Sequence, residues 1–271
     1  MRCSSMRKYK KKNSIIQRLL TIISIAVFLY ASYHVGSTLW QYYHNRQILA
    51  EAQEVYDKAK QMNKKQHPSP AEASIAQTKT AKQEKRASFD PLQQLNTDIV
   101  GWIEMEGTMI NYPILQADDN TFYLYRNYKK QDSIAGSIFL DYRNDISETN
   151  RNWIVYGHRM KDGSMFGQLK KWLNDDFFKR NHEIYLDTLY DSYDAEIFSV
   201  YQTSTDFYYI ETDFDNEASF QNYIDEIEKK SLFHSDTEVT AEDSIITLST
   251  CDYGVDPDKG RLVVHAKLKK R

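Results

Sequence analysis

The sequence predicts a mainly β domain, either a barrel or a sandwich, that is preceded by one membrane-spanning helix. Eight short runs between residues 99 and 268 are rich in β-branched or aromatic residues and are flanked by turn formers, which is typical of strands. A long run without formal charge lies near the N-terminus. Residues 1–88 carry 16 Lys or Arg against 5 Asp or Glu, whereas residues 89–271 carry 19 against 33. The two parts therefore have different roles.

The uncharged run extends from Leu19 to Trp40 and, as a helix, reaches roughly 33 Å at ~1.5 Å per residue, enough to cross a bilayer. Seven Lys or Arg residues lie within residues 1–18, before this run, and no acidic residue occurs before Glu51. The positive-inside rule then predicts a cytoplasmic tail at residues 1–18 and an extracellular domain. A cleaved signal peptide is the alternative, but no clean A-x-A site follows the apolar core. Both interpretations export the domain.

Residues 41–88 are interpreted as a partly helical, partly flexible linker. Apolar residues from Ile48 to Met62 recur at three- and four-residue spacing, which favours a helix, and His67-Pro68-Ser69-Pro70 ends it. Residues 71–88 have almost no large apolar side chain, which predicts a tether. The folded domain is accordingly expected at residues 89–271, and the spacer is expected to be dispensable.

The domain is predicted to open on a short helix after Asp90-Pro91. Two further helical patterns are centred on Phe166–Leu173 and Phe220–Ile227. The eight predicted strands are Ile99–Ile103, Met109–Leu115, Ser137–Leu140, Trp153–Tyr156, Glu183–Leu186, Asp194–Tyr201, Ser244–Cys251 and Leu262–Leu268.

Composition and motifs argue against several classes of function. A strongly acidic domain repels phosphate backbones, which argues against nucleic acid as a partner. The sequence has no H-E-x-x-H, no C-x-x-C and no phosphate-binding glycine loop, so no metal and no cofactor is expected. The loop 252–260 has three carboxylates, but it lacks the spacing of a calcium loop and includes Lys259.

Cys251 is the first candidate catalytic residue. The predicted topology separates it from Cys3 by the membrane, which leaves a lone thiol in an exported domain. Such a thiol is either a reactive nucleophile, a partner in intermolecular pairing, or an inert buried side chain. A nucleophilic cysteine acts as the thiolate and needs a cationic neighbour.

Among the histidines of the domain, His158 is the strongest candidate for that neighbour. It follows the strand Trp153–Tyr156 and Gly157, so it lies at a strand end where a side chain can face a cleft. His182 and His234 lie in charged or polar stretches. His265 lies four residues along a strand from Arg261, about 13 Å at ~3.3 Å per residue, so the two do not share a site.

Arg261 begins the strand that follows Cys251, ten residues later, and the two strands can bring both side chains to one end of the sheet. An arginine there can donate paired hydrogen bonds to the oxyanion of a tetrahedral acyl intermediate. The alternative is a solvated arginine paired with Asp256 or Asp258.

At these residues the sequence resembles the sortases, and class B sortases in particular. Thr247-Leu-Ser-Thr-Cys251 is similar to their TLxTC motif, and Arg261 falls where their arginine follows it. Tyr156-Gly-His158-Arg-Met160 and the helix after it are similar to the family's histidine loop, and the helical pattern near 217–230 points to class B. The resemblance covers about residues 89–271 and implies an eight-stranded β-barrel with peripheral helices.

The resemblance also implies a function. A sortase cleaves a surface protein after Thr in a C-terminal sorting motif, forms a thioester, and transfers the acyl group to an amine of a peptidoglycan precursor or cross-bridge. Cys251 would be the nucleophile, His158 the general acid and base, and Arg261 the oxyanion donor, with Ser249 and Asp252 as substrate contacts. A pilin-polymerising sortase or a cysteine protease would use the same residues. A membrane-tethered binding domain with a buried Cys251 is the non-enzymatic alternative.

Overall fold

The computed structural model describes residues 3–66, 84–148 and 150–271. The chain divides into two compact units, Met1–Arg46 and Gln47–Arg271. The first helix, α1, is Cys3–Gln66, and it contains an apolar stretch that is long enough to cross a membrane. The predicted helix after residue 40 is therefore present. The predicted stop at residues 67–70 and most of the tether lie outside the described residues.

The second unit contains the strands and the remaining helices. Its helices are a 3₁₀ turn at Ala87–Phe89, α2 at Asp90–Leu95, a 3₁₀ helix at Phe166–Leu173, α3 at Asp175–Arg180 and α4 at Glu217–Lys229. Its strands are β1 at Ile99–Met105, β2 at Asn111–Leu115, β3 at Ile138–Leu140, β4 at Asn152–Tyr156, β5 at Glu183–Thr188, β6 at Ser192–Ser204, β7 at Ile245–Cys251 and β8 at Gly260–Lys270.

The eight strands form one closed barrel in the order β1-β2-β3-β4-β7-β8-β6-β5. Closure removes the exposed strand edges that an open sheet would present. Most neighbours are antiparallel, but β2 pairs with β3 and β4 pairs with β7 in parallel. The prediction of a barrel is confirmed, and the parallel pairing of β4 with β7 brings the ends of two distant strands to the same edge.

Two apolar clusters stabilise the barrel. The larger fills its interior and includes the fully buried Trp102 and Phe166. The smaller lies between the strands and α4, where Phe220, Ile224 and Ile227 from one face of the helix pack with residues of β6, β7 and β8. The spacing of these three residues is the apolar stripe that the sequence shows.

The helix α1 also contributes to the barrel core, and here the structure differs from the predicted division at Phe89. Within the second unit, Ile48, Leu49, Ala52 and Tyr56 are buried in the main apolar cluster. The compact unit accordingly begins at Gln47. The three- and four-residue spacing places these side chains on one helix face, and that face is covered by the barrel.

Tyr56 fixes this contact through its ring and its hydroxyl. The ring stacks on Trp102 with centroids 4.2 Å apart, and the hydroxyl donates to the buried carboxylate of Asp187. Arg86 and the C-terminal Arg271 also approach Asp187, with contacts of 3.2 and 3.4 Å. Burial alone would raise the pKa of Asp187, but hydrogen bonds and the nearby guanidinium groups hold it below its usual value. The carboxylate of Asp187, on β5, thus joins α1 to Arg86 and to Arg271.

Replacing Tyr56 with phenylalanine should destabilise the barrel while keeping the stacked ring. The buried carboxylate loses a donor, which costs about 1–3 kcal/mol of unfolding free energy, or a melting temperature lower by about 2–4 °C for each kcal/mol. The measurement is thermal unfolding of the protein spanning residues 47–271. Tyr142→Phe, at a ring that is 53% exposed, is the matched control. An unchanged melting temperature in Tyr56→Phe would show that α1 does not stabilise the barrel through this contact.

Candidate active site

Cys251 and Arg261 lie directly opposite each other on β7 and β8. Directly opposed residues of an antiparallel pair have Cα atoms about 4.5–5.5 Å apart and side chains on the same face. Gly260 makes this approach possible, because a Cβ at that position would overlap the carbonyl oxygen of Asp252 and lie 2.6 Å from that of Asp256. The thiol and the guanidinium are therefore brought together by strand register.

His158 reaches the same edge from the parallel strand β4. Tyr156 is paired with Ser249, and the amide of Gly157 donates to the Ser249 carbonyl at 3.3 Å. His158 and Cys251 each follow this pair by two residues, His158 just beyond the end of β4 and Cys251 at the end of β7. Gly157 is required because a Cβ there would overlap the side chain of Ile138 and lie 2.8 Å from a ring carbon of Phe166.

The imidazole of His158 is oriented by the backbone. Its Nε2 lies 2.7 Å from the carbonyl oxygen of Leu124, which can only accept, so Nε2 carries the proton in this contact. In the neutral ring Nδ1 then carries the lone pair and is the nitrogen that can accept a proton. The ring also lies 6.3 Å, between centroids, from that of Tyr125.

These three side chains line one cleft with a volume of about 430 Å³, and all three are partly buried. The rest of its lining is largely aromatic or aliphatic, which suits an extended peptide. Besides the three, it comprises Asn120, Leu124, Tyr125, Phe139, Tyr156, Gly157, Thr205, Phe207, Tyr208, Tyr209, Ile210, Ser249 and Thr250.

The guanidinium of Arg261 is held by the backbone, and the predicted alternative of pairing with aspartates does not occur. Its Nη1 donates to the carbonyl oxygens of Gly260 and Asp258, at 2.8 and 3.2 Å. The carboxylate of Asp256 instead accepts from the amides of Asp258 and Lys259. A fixed guanidinium on the cleft lining is suited to binding an oxyanion.

Ser249 lies in the cleft lining as the prediction of a substrate contact requires, but its hydroxyl already has a partner. Its Oγ is 2.8 Å from the hydroxyl of Tyr209, another cleft residue. Burial raises the pKa of Tyr209, opposed by its contacts with Ser249 and Arg261. Tyr209 therefore stays neutral and can donate one hydrogen bond.

Asp252 does not fit the role of substrate contact. It is 2% exposed and is outside the cleft lining. Its carboxylate accepts from Arg159 and Gln202, each at 2.5 Å, and from the amide of Gly254. Burial alone would raise the pKa of Asp252, but these donors keep it below its usual value. Asp252 fixes the start of the loop between β7 and β8.

The other three histidines of the residues 84–148 and 150–271, namely His182, His234 and His265, are outside the cleft lining. His265 is fully buried between Tyr201 and Thr247, with both ring nitrogens 2.8 Å from hydroxyl groups, and burial lowers its pKa to about 3. It is therefore neutral and structural. His182 and His234 line a separate cavity of about 360 Å³.

Sequence reasoning missed two tyrosines of the site. Tyr209 lies in an irregular segment with no motif, so nothing in the sequence placed it beside Ser249. Tyr253 follows Cys251 by two residues, which was a local signal. Burial and the neighbouring Cys251 raise the pKa of the Tyr253 phenol. Of the two, Tyr209 lines the cleft that contains Cys251.

The geometry agrees with the comparisons with known proteins. A sortase-domain family model matches residues 103–269. Sortase B of Listeria monocytogenes is 41% identical over 258 residues, which cover 95% of this chain and 98% of that protein. The crystal structure of sortase B from B. anthracis in complex with AAEK1 has 52% identity and a TM-score of 0.72, covering 86% of this chain and 100% of that one. A Staphylococcus aureus sortase B–substrate complex has 35% identity and a TM-score of 0.73, covering 85% and 99%. The chain belongs to the sortase family, and within it to the class B transpeptidases.

Proposed function

We propose that this transpeptidase cleaves a C-terminal sorting motif after Thr, keeps the acyl part as a thioester on Cys251, and passes it to a peptidoglycan precursor or cross-bridge amine. The observation that supports this most is the register that places the thiol of Cys251 opposite Arg261 and beside the strand end that carries His158. The Staphylococcus aureus relative was solved as a sortase B–substrate complex, which supports substrate binding by this chain as well.

In the first half of the reaction, the Cys251 thiolate attacks the carbonyl carbon of the scissile bond. The carbonyl oxygen becomes an oxyanion, which the Arg261 guanidinium binds. The intermediate then collapses, the C–N bond breaks, and His158 protonates the leaving amine. Cys251 is left as a thioester and His158 as the neutral imidazole.

In the second half, an amine attacks the thioester carbonyl while His158 accepts its proton. The oxyanion forms again at Arg261, and its collapse breaks the C–S bond and releases the Cys251 thiolate beside the imidazolium. The product is an amide and no water is consumed. Exclusion of water by the largely apolar lining favours transfer over hydrolysis.

We also propose that the helix α1 anchors the protein with its N-terminus in the cytoplasm and the barrel outside. Seven Lys or Arg occur in the first 18 residues, before the apolar stretch of α1, which supports this orientation. The substrates are then surface proteins that reach the cleft after export.

Mass spectrometry of the intact protein tests the proposed reaction. The protein spanning residues 47–271 is incubated with a peptide library in which Thr precedes the scissile bond. We expect an acyl adduct on Cys251, absent from Cys251→Ala, that disappears when an oligoglycine amine is added and yields the ligated peptide. Adducts elsewhere in the chain would contradict the proposal, as would release of only the free acid.

A further inference from the structure

The segment Tyr208–Glu211 lies within the connection between β6 and α4 and forms part of the cleft without being part of a strand. Tyr208, Tyr209 and Ile210 all line the cleft. The segment has no regular secondary structure, so its backbone is not held by a strand ladder. Its position therefore depends on other contacts.

Three consecutive carbonyl groups of this segment accept hydrogen bonds from side chains of three different elements. The hydroxyl of Tyr223 in α4 donates to the carbonyl of Tyr209 at 2.6 Å. Arg143, between β3 and β4, donates to that of Ile210 at 2.9 Å. Asn152, the first residue of β4, donates to that of Glu211 at 2.9 Å. Side chains thus replace the missing ladder.

Arg143 makes the most contacts of the three donors. Its Nη1 also donates to the hydroxyl of Tyr208 at 3.0 Å, so the guanidinium holds the segment at two residues, Tyr208 and Ile210. The other side of the guanidinium binds Asp141, with Nε and Nη2 each 2.8 Å from a carboxylate oxygen. This paired geometry fixes the plane of the group.

Asp141 extends the same network to the other parts of the cleft lining. It is fully buried, and its carboxylate also accepts from the Tyr156 hydroxyl at 2.8 Å and from the Asn120 amide at 2.9 Å. Burial alone would raise the pKa of Asp141, but Arg143 and the other donors keep it below its usual value. Asp141 therefore remains charged at neutral pH, and the pair with Arg143 persists.

We propose that Asp141 and Arg143 are positioning residues that clamp Tyr208–Ile210 to the barrel and so preorganise the cleft for the peptide. Neither lines the cleft that contains Cys251, so they act through Asn120, Tyr156 and the segment. A segment that is already ordered spares the peptide the entropic cost of ordering it on binding. The inference rests on the proposed peptide cleavage.

The substitution Arg143→Lys tests this positioning role. Lysine keeps the positive charge but lacks the planar guanidinium that joins Asp141 to two residues of the segment. We expect Arg143→Lys and Arg143→Gln to raise KM for the peptide that acylates Cys251 by about ten- to fiftyfold, as loss of buried hydrogen bonds predicts. We expect kcat and the rate of Cys251 modification by a small methanethiosulfonate to change less than about threefold. Arg151→Lys, at a partly buried arginine outside the cleft lining, is the control.

Hydrogen exchange tests the same inference without a peptide. In both variants the amides of residues 207–212 should exchange faster, while those of β7 and β8 stay protected. An unchanged KM in a folded variant would overturn the proposal, as would slower thiol modification or unfolding of both variants. If the parent protein forms no acyl adduct, the proposed function fails, and the exchange experiment still decides whether the clamp exists.

Discussion

Replacing Arg261 with lysine should leave the protein folded but lower the rate of acyl-enzyme formation at least about a hundredfold. Losing one well-placed oxyanion donor costs on the order of 10²–10³ in kcat, whereas disturbing an exposed ion pair costs about 0–1 kcal/mol of stability. Lysine keeps the charge but not the planar fork. The backbone carbonyls that orient Arg261 through Nη1 cannot hold a flexible ammonium in the same direction.

The measurement is the rate of appearance of the Cys251 adduct, with thermal unfolding and methanethiosulfonate labelling of the thiol as checks on folding and access. Arg180→Lys, an exposed arginine on α3, is the matched control and should acylate at the parental rate. Acylation of Arg261→Lys at a rate close to that of the parent would remove Arg261 from the mechanism.

Replacing His158 with glutamine should slow both halves of the reaction by about 10²–10⁴, the usual contribution of a general acid and base. The glutamine amide can still donate to the carbonyl of Leu124, as Nε2 of His158 does, so the local packing is largely retained. What is lost is the nitrogen that protonates the leaving amine and accepts a proton from the incoming one.

Two rates distinguish this role: release of the leaving peptide, and decay of the preformed thioester on addition of an amine. Both should fall in His158→Gln. His234→Gln, at a side chain that is 92% exposed, should change neither rate. If release slowed while aminolysis of the thioester kept its parental rate, the dual role of His158 would be wrong.

The positions of Cys251, His158 and Arg261 at strand ends could be predicted from the sequence, because β-branched runs and flanking turn formers are local signals. The barrel was implied only by family resemblance, since eight strand patterns suit a sandwich equally well. Local patterns do not give the register between strands. The pairing of Cys251 with Arg261 therefore becomes visible only once β7 and β8 are aligned.

The errors have a common physical cause, which is partners that are remote in sequence. Asp252 resembled a substrate contact because it follows the nucleophile, yet its carboxylate is bound by Arg159 and Gln202 from other elements. The helix face around Tyr56 resembled a spacer because the surface that covers it, with Trp102 and Asp187, belongs to other elements. The helix α3 was missed for a separate, local reason, because it is mostly polar and shows no apolar stripe.

The parallel pairing of β4 with β7 has a consequence for folding kinetics. Contacts across this pair are strongly non-local: Arg159 and Asp252, just beyond its end, are 93 residues apart. Closing such a loop costs entropy before any contact forms, so high contact order slows folding. Cys251 also depends on β8, because Arg261 stands opposite it only when β7 and β8 are paired. In the proposed mechanism, the thiol therefore lacks both the imidazole and the guanidinium until β4 and β8 have paired with β7.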